Sequence, residues 1–260
     1  MVPEWPTREG VVSPVMDQSP ACQGTAAAAV AAVAAVAACE VHVGRIRDLR
    51  AAHLTLLNDT ELARARRFQR SCDSDRSLLG AALLRITAAR HLGVRPADVA
   101  VDRTCGRCGA QHGRPQLPGS GLHASVSHSG DIVAVALTGA GPVGVDVEAV
   151  RSIDFAAVTD SVCVPAERGE VRSALDFYTY WTRKEAVLKA TGEGLSRPMT
   201  DLQVTPPGSA PVLLRIGSDG APACRMAGIP AGGGYQAAVA VLTAGPVAFS
   251  THEATASLAS

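Results

Sequence analysis

The sequence lacks an excess of charge of one sign, an apolar run long enough to cross a membrane, and a secretion signal. Its 260 residues carry 24 Lys and Arg against 24 Asp and Glu, whereas proteins that coat nucleic acid have a clear basic excess. The Ala/Val run at 26–38 is shorter than the roughly 20 apolar residues that span a bilayer. Glu4, Glu9 and Asp17 precede it with only Arg8 opposing them, which disfavours a signal peptide. We therefore expect neither nucleic acid nor a membrane as a partner.

A regular disulfide framework is also missing. The cysteine count is odd, at seven, and only Cys105 and Cys108 are close neighbours in the sequence. Secreted domains that depend on disulfides show an even number of cysteines at regular spacing. The pattern therefore predicts reduced thiols and a cytoplasmic protein.

Lysine and aromatic residues are scarce, and both are concentrated in one segment. Only Lys184 and Lys189 are lysines among the 24 basic residues, and all the others are arginines. Aromatic residues make up 3% of the chain, yet four of them lie at 177–181, immediately before the two lysines. This concentration indicates that the segment 177–189 has a function that arginine cannot perform.

The order of the elements predicts an α+β fold. Residues 1–39 indicate a flexible Ala/Pro-rich extension, and residues 40–141 and 142–260 each contain helix followed by antiparallel strands. Two similar halves in one chain predict a pseudo-twofold pair of α+β subdomains with the active site at their junction. The periodicity predicts helices at 60–69, 75–91 and 176–190, loop at 102–121, and strands at 39–46, 123–127, 132–137, 143–148, 212–216, 223–226, 235–242 and 247–251.

Two carboxylates on one strand are candidate metal ligands. Alternation along 143–148 places Asp146 and Glu148 on the same face, opposite three valines. Carboxylate pairs of this kind suit Mg²⁺, which prefers oxygen ligands. The alternative is the solvated face of an amphipathic strand.

A third carboxylate and a lysine share one face of the following helix. Glu185 and Lys189 are four residues apart, which fits a site where the carboxylate binds metal and the ammonium binds phosphate. A surface ion pair is the alternative.

Two further segments could bind anions. The segment 125–130, with its three serines and His128, can surround an anion with donors, or it can be a simple turn. Adjacent Ser127 and His128 point to opposite faces of a strand, which disfavours a serine hydrolase. A basic stretch can bind phosphate or form a solvated helix face, and it contains Arg64, Arg66, Arg67, Arg70 and Arg76.

Cys105, Cys108 and His112 are three candidate zinc ligands without a fourth nearby in the sequence. The pattern favours a loop without metal and leaves a structural Zn²⁺ as the alternative, which Cys72 or Cys163 would have to complete.

Together and in order, these segments resemble the Sfp-type 4′-phosphopantetheinyl transferases, from about residue 64 to residue 240. The most specific part is the Asp-x-Glu pair followed by Trp181-x-x-Lys-Glu-Ala-x-x-Lys189. The other matching residues are Arg64, Arg67-Phe68, Asp73, Arg76, Gly80, Leu84-Arg85, Gly113-Arg114-Pro115, Ser127-His128-Ser129-Gly130, Gly192-Glu193-Gly194-Leu195 and 234–240.

The resemblance implies transfer of 4′-phosphopantetheine from coenzyme A to a serine of an apo acyl or peptidyl carrier protein, with release of 3′,5′-ADP. It implies Mg²⁺, or Mn²⁺, on Asp146, Glu148 and Glu185, and catalytic roles for Glu185, Lys189 and His128. The coenzyme A contacts that it implies are Arg64, Arg76, Arg114, Ser127, His128, Lys184 and Lys189. We further expect a monomer that serves polyketide or nonribosomal peptide synthesis.

Two departures and two alternatives accompany this resemblance. Ser125 stands where the family often has Asn, and Glu61 stands where relatives can carry a basic residue that contacts the 3′-phosphate. A non-catalytic module that binds coenzyme A or carrier protein, or a Mg²⁺-dependent coenzyme A phosphohydrolase, would use the same acidic cluster.

Overall fold

The computed structural model describes residues 36–218 and 220–258, and most of the expected extension at 1–39 lies outside them. The strands are β1 (Ala37–Arg45), β2 (Asp102–Thr104), β3 (Gln111–Gln116), β4 (His123–Ser129), β5 (Ile132–Thr138), β6 (Val143–Ala149), β7 (Leu202–Val204), β8 (Leu213–Ile216), β9 (Cys224–Gly228), β10 (Tyr235–Leu242) and β11 (Val247–Glu253). The helices are α1 (Ala51–Leu54), α2 (Asp59–Ala65), α3 (Ser71–Leu92), α4 (Phe155–Val162), α5 (Pro165–Arg168), α6 (Ala174–Thr191) and α7 (Ala254–Leu258). None of the helices in these two ranges is both long and apolar enough to span a membrane.

The chain has an α+β fold, as the sequence predicts. A six-stranded sheet has the order β11-β1-β5-β4-β3-β2, and a three-stranded sheet has the order β6-β10-β9. Strand β11 pairs in parallel with β1, from Ala37 opposite Val247 to Val43 opposite Glu253. The final strand therefore belongs to the first sheet, although the predicted boundary at 141/142 assigns it to the second subdomain. The pseudo-twofold relation of two halves stays a prediction.

Helix α6 lies against the second sheet at unusually short range. A Cβ atom on Gly144 of β6 would lie 2.0 Å from the carbonyl oxygen of Ala186 and 2.5 Å from the amide nitrogen of Ala190. Only glycine leaves room for this approach, because the helix backbone occupies the position of any side chain. The contact fixes the spacing between the strand and the helix that carry the predicted carboxylates.

Serine side chains join the two larger sheets. Strand β6 pairs with β10 on one edge, and on its other edge its amides donate to hydroxyls of β4. The N–H groups of Val145, Val147 and Ala149 donate to the Oγ atoms of Ser125, Ser127 and Ser129 respectively, at 3.1, 3.3 and 3.1 Å. We call these three contacts the serine ladder. It satisfies edge amides of β6 that are otherwise without a strand partner.

The expected loop at 102–121 is wrong, because it contains β2 and β3. A Cβ atom on Gly113 would lie 2.9 Å from the carbonyl oxygen of Thr104, so glycine allows the two strands to approach closely. Of the glycines and prolines that suggested loop, Gly113 and Pro115 are strand residues. The predicted helix ends at Gly93 and Gly192 are confirmed, since these residues adopt the left-handed conformation with φ of 66° and 80°.

Candidate active site

The three predicted metal ligands come from adjacent elements. Asp146 and Glu148 share one face of β6, and Glu185 on α6 lies close enough for the charges of both to act on it. Asp146 is 3% exposed and Glu185 is 7% exposed. The side chains are thus brought together in a site largely removed from water.

Burial and mutual repulsion act on these carboxylates. Burial raises the pKa of Glu185, Lys189 lowers it, and the charges of Asp146 and Glu148 raise it further. Burial also raises the pKa of Glu148, whereas a hydrogen bond of 2.6 Å donated by the Ser129 hydroxyl lowers it. A cluster of like charges held in a protein interior favours binding of a cation.

Lys189 is the cation that faces this cluster. Its Nζ donates to Asp146 Oδ1 at 2.6 Å, to Ser127 Oγ at 2.9 Å and to the carbonyl oxygen of Val145 at 3.1 Å. The Ser127 hydroxyl in turn donates to Asp146 Oδ1 at 2.9 Å. Lys189 therefore connects α6 with β4 and β6 through the side chains predicted to act in the reaction.

The residues present fit a divalent cation that prefers oxygen ligands. Within the described ranges, Asp146 Oδ2 is one of two buried side-chain atoms without a hydrogen-bond partner, the other being Glu61 Oε1. A buried carboxylate oxygen without a partner is costly unless a ligand completes it. The ligand atoms of the three carboxylates do not all lie within 4.8 Å of one another. Mg²⁺ suits such an open set, because it keeps water and phosphate oxygens in its shell.

A groove lined by arginines adjoins the carboxylates. Two cavities, of about 60 and 310 Å³, share Arg64, Arg103 and Val126 in their walls. Arg76 and His128 line the smaller cavity, whereas Arg114, Lys189 and Gly192 line the larger one. We call the two cavities together the arginine groove. It has the charge and position to bind a polyphosphate whose reacting phosphate lies at the carboxylates.

Arg103 is a groove residue that the sequence did not predict. Burial, together with the charge of Arg64, lowers the pKa of Arg103 to about 10. Within the described part of the chain, neither guanidinium makes a hydrogen bond or an ion pair. Two neighbouring guanidinium groups that make no hydrogen bond to the protein are well suited to bind an anion. Arg103 was missed because it lies in the segment that was predicted to be loop.

Glu61 has a structural role inside the protein. Its Oε2 accepts from Arg85 Nε at 2.8 Å and from the amide of Asn58 at 3.0 Å. The Glu61 amide donates to Asn58 Oδ1 at 2.9 Å, which completes a capping box at the start of α2. Glu61 therefore anchors the helix that carries Arg64.

The remaining predicted contacts line the groove or support it. Ser127 is buried and His128 is exposed, on opposite faces of β4 as expected. Desolvation and the charge of Arg76 lower the pKa of His128, which favours the neutral imidazole. Arg76 also donates to the carbonyl oxygen of Gly130 at 2.5 Å, and Arg114 donates to that of Ala190 at 3.0 Å.

The expectation that Lys184 contacts coenzyme A is wrong. Its side chain is fully buried, and Nζ donates to Glu167 Oε2 at 2.5 Å, to the carbonyl oxygen of Val162 at 2.8 Å and to that of Met199 at 3.3 Å. Lys184 lies on a different face of α6 from Lys189, because five residues turn a helix by about 140° beyond one full turn. Its ammonium holds α4 and α5 against α6 instead.

Comparison with known proteins gives the family. Residues 142–240 match the model described as the 4′-phosphopantetheinyl transferase superfamily, and residues 47–139 match that described as 4′-phosphopantetheinyl transferase, N-terminal. The 4′-phosphopantetheinyl transferase HetI of Nostoc sp. (strain PCC 7120) is 34% identical over 175 residues, which cover 61% of this chain and 71% of HetI.

Two relatives from Bacillus subtilis extend this comparison. A 4′-phosphopantetheinyl transferase is 31% identical over 149 residues, which cover 54% of this chain and 62% of that protein. The 4′-phosphopantetheinyl transferase Sfp of strain 168 is 26% identical over 159 residues, which cover 58% of this chain and 67% of Sfp. With its carboxylate cluster, its lysine and its arginine groove, the chain belongs to the Sfp-type 4′-phosphopantetheinyl transferase family.

Proposed function

We propose that the protein transfers 4′-phosphopantetheine from coenzyme A to a serine hydroxyl of an apo acyl or peptidyl carrier protein and releases 3′,5′-ADP. The observation that carries this proposal is the buried Asp146 Oδ2 without a partner, beside Lys189 and next to the arginine groove. A substrate with several phosphates fits this arrangement, because its charges meet cations on one side and a metal-binding carboxylate on the other.

Coenzyme A lies in the arginine groove in this proposal. Arg64 and Arg103 bind its 3′-phosphate, because guanidinium groups without protein partners match phosphate oxygens bidentately. Neutral His128 donates to a pyrophosphate oxygen, and Lys189 binds another. Arg114 holds the end of α6 in place through the last helix carbonyls, so that Lys189 faces the groove.

Asp146, Glu148 and Glu185 hold Mg²⁺, for which Mn²⁺ can substitute because it accepts the same oxygen ligands. When bound, the ion would neutralise charge on the pyrophosphate and help to orient that group for in-line attack. The serine oxygen forms a bond to the β-phosphorus, and the bond from that phosphorus to the bridging oxygen breaks. The electron pair leaves with 3′,5′-ADP.

Glu185 accepts the proton of the carrier serine. It lies beside the other two carboxylates at the reacting phosphate and takes the proton directly or through a water. Lys189 stabilises the charge that develops on the phosphate oxygens through the positive charge of its ammonium, because its side chain lines the arginine groove.

The carrier domains of polyketide or nonribosomal peptide synthases are the acceptors that we propose. We also propose a cytoplasmic monomer. Coenzyme A and carrier domains are cytoplasmic, and the six cysteines of the described ranges are free thiols. The walls of the groove come from a single chain, which supports a monomeric active form.

Intact mass spectrometry of a carrier protein tests the proposed transfer. Incubation with coenzyme A and Mg²⁺ is expected to add one phosphopantetheine to apo acyl or peptidyl carrier protein, and EDTA is expected to prevent it. A carrier with its acceptor serine replaced by alanine is the control. Bound coenzyme A without transfer to any carrier would indicate a binding module. Cleavage of coenzyme A without carrier modification would indicate a phosphohydrolase.

Arg103→Ala tests the assignment of the 3′-phosphate. We expect the variant to raise KM for coenzyme A about 10- to 100-fold, because a charge-assisted hydrogen bond contributes about 1.5–3 kcal/mol. Dephospho-coenzyme A, which lacks the 3′-phosphate, is expected to bind wild type and variant equally. Arg66→Ala is the matched control, since Arg66 is exposed at the end of the same helix as Arg64. An equal loss with both substrates would contradict contact with the 3′-phosphate.

A further inference from the structure

A cluster of sulfur and nitrogen ligands lies outside the catalytic residues. Cys105, Cys108 and His112 lie between β2 and β3 or at the start of β3, and their ligand atoms all lie within 4.8 Å of one another. Cys108 Sγ and His112 Nε2 are 2.9 Å apart. In the described ranges, no other set of three histidine, cysteine or carboxylate side chains is gathered as closely. The proposed transfer reaction uses none of these three residues.

Backbone hydrogen bonds close this loop between Cys105 and Ala110. The Gly109 amide donates to the Cys105 carbonyl oxygen at 2.8 Å, and the Cys105 amide donates to that of Ala110 at 2.8 Å. Gly109 has φ of 72°, which reverses the chain so that His112 returns to the cysteines. This reversal of the chain accounts for the short distances among the three ligand atoms.

We propose that Cys105, Cys108 and His112 bind a Zn²⁺ ion. Two thiolates and an imidazole select zinc over magnesium, which prefers oxygen ligands. Zinc bonds of about 2.3 Å to sulfur and 2.0–2.1 Å to nitrogen place tetrahedral ligand atoms roughly 3.5–3.8 Å apart. Small side-chain rotations reach this spacing from the distances in the structure.

The fourth coordination position is open to solvent or to a ligand. Cys72 and Cys163, the candidates for a fourth ligand, do not belong to this group of close ligand atoms, and Cys163 is buried in the core against α6. Zn²⁺ with two thiolates and a neutral histidine has no net charge. The ion therefore leaves the positive potential of the arginine groove unchanged and acts on the loop geometry.

The zinc loop borders the arginine groove. His112 lines the larger cavity together with Arg103 and Arg114. Gly113, which separates His112 from Arg114, packs against the backbone of Arg103 and Thr104 in β2. One ion thus ties together the strand that carries Arg103 and the strand that carries Arg114. This positioning role rests on the proposed binding of coenzyme A in the groove, whereas zinc binding itself does not.

Metal analysis of the purified full chain tests the zinc site. We expect about one zinc per chain after dialysis against EDTA-free buffer, and loss of at least about 90% of it in Cys108→Ser and His112→Ala. Cys224→Ser is the matched control, because Cys224 lies on β9 and should retain the zinc. Cobalt loaded into apo protein should give thiolate-to-cobalt absorption in wild type and Cys224→Ser but not in Cys108→Ser.

Three outcomes would overturn the zinc site: absence of zinc in wild type, full zinc in Cys108→Ser, or a Cys105–Cys108 disulfide detected by loss of two hydrogens in the intact mass. Calorimetric titration with coenzyme A tests the positioning role separately from zinc binding. We expect several-fold weaker binding to Cys108→Ser than to Cys224→Ser. Equal affinity of the two variants for coenzyme A would contradict the positioning role. The measured zinc content would still decide whether the three residues bind zinc.

Discussion

Asp146→Asn is expected to lower kcat/KM for carrier modification by about three orders of magnitude, or ~4 kcal/mol of transition-state stabilisation. The substitution replaces the carboxylate whose Oδ1 accepts from Lys189 and whose Oδ2 has no protein partner. An amide keeps the shape of the side chain but contributes no negative charge to the metal. Steady-state kinetics with an apo carrier protein, at several Mg²⁺ concentrations, measures the loss.

A binding readout makes this prediction independent of turnover. Mg²⁺ should raise the melting temperature of the wild type, because an ion that binds only the folded state stabilises it. Asp146→Asn should lose this increase. Glu170→Gln is the control, since Glu170 is exposed and pairs with Arg172. Retention of more than about 10% of wild-type activity by Asp146→Asn would contradict the metal assignment.

Lys184→Met has the second large expected effect, which is on stability rather than on the chemical step. Removing the ammonium leaves the Glu167 carboxylate, 3% exposed, without its counter-ion. Loss of one partner of a buried ion pair costs about 3–5 kcal/mol. Urea unfolding followed by circular dichroism should show this decrease in the free energy of unfolding.

Two comparisons separate a structural role of Lys184 from a role in binding. Arg95→Met removes an exposed ion pair with Asp98 and should leave the free energy of unfolding almost unchanged, because solvent screens such a pair. The double variant Lys184→Met/Glu167→Gln should recover part of the loss, because the uncompensated charge is removed. KM for coenzyme A should be unchanged in the folded variant. A raised KM for coenzyme A with unchanged stability would instead indicate that Lys184 contacts coenzyme A.

Local patterns predicted the elements that carry the site. The strand that bears Asp146, the helix that bears Glu185 and the αL glycine after that helix follow from alternation, helical periodicity and capping, which act over a few residues. The same spacing could have excluded Lys184, since a helical wheel separates it from Lys189. The scarcity of lysine in the sequence suggested a functional role for Lys184, whereas the structure places its side chain in a buried ion pair.

Long-range pairing was not accessible to local patterns. The parallel pairing of β11 with β1 joins segments about 200 residues apart, and no local period encodes which edge a final strand takes. Strands β2 and β3 are rich in Gly, Pro and polar residues, so their sequence indicates loop although they pair in the sheet. Arg103 reaches the groove only because that pairing forms, and for this reason the sequence did not reveal it.

The serine ladder also determines where the chain tolerates insertions and deletions. Ser125, Ser127 and Ser129 match Val145, Val147 and Ala149 with a constant offset of 20 residues. One residue added within β4 or β6 would turn the hydroxyls or the metal-binding carboxylates to the opposite face, because side chains alternate along a strand. A residue added in the turn at 139–142, outside both strands, changes the offset without changing either face. Length variants of this turn should therefore fold and keep the site, whereas single-residue insertions in the two strands should not.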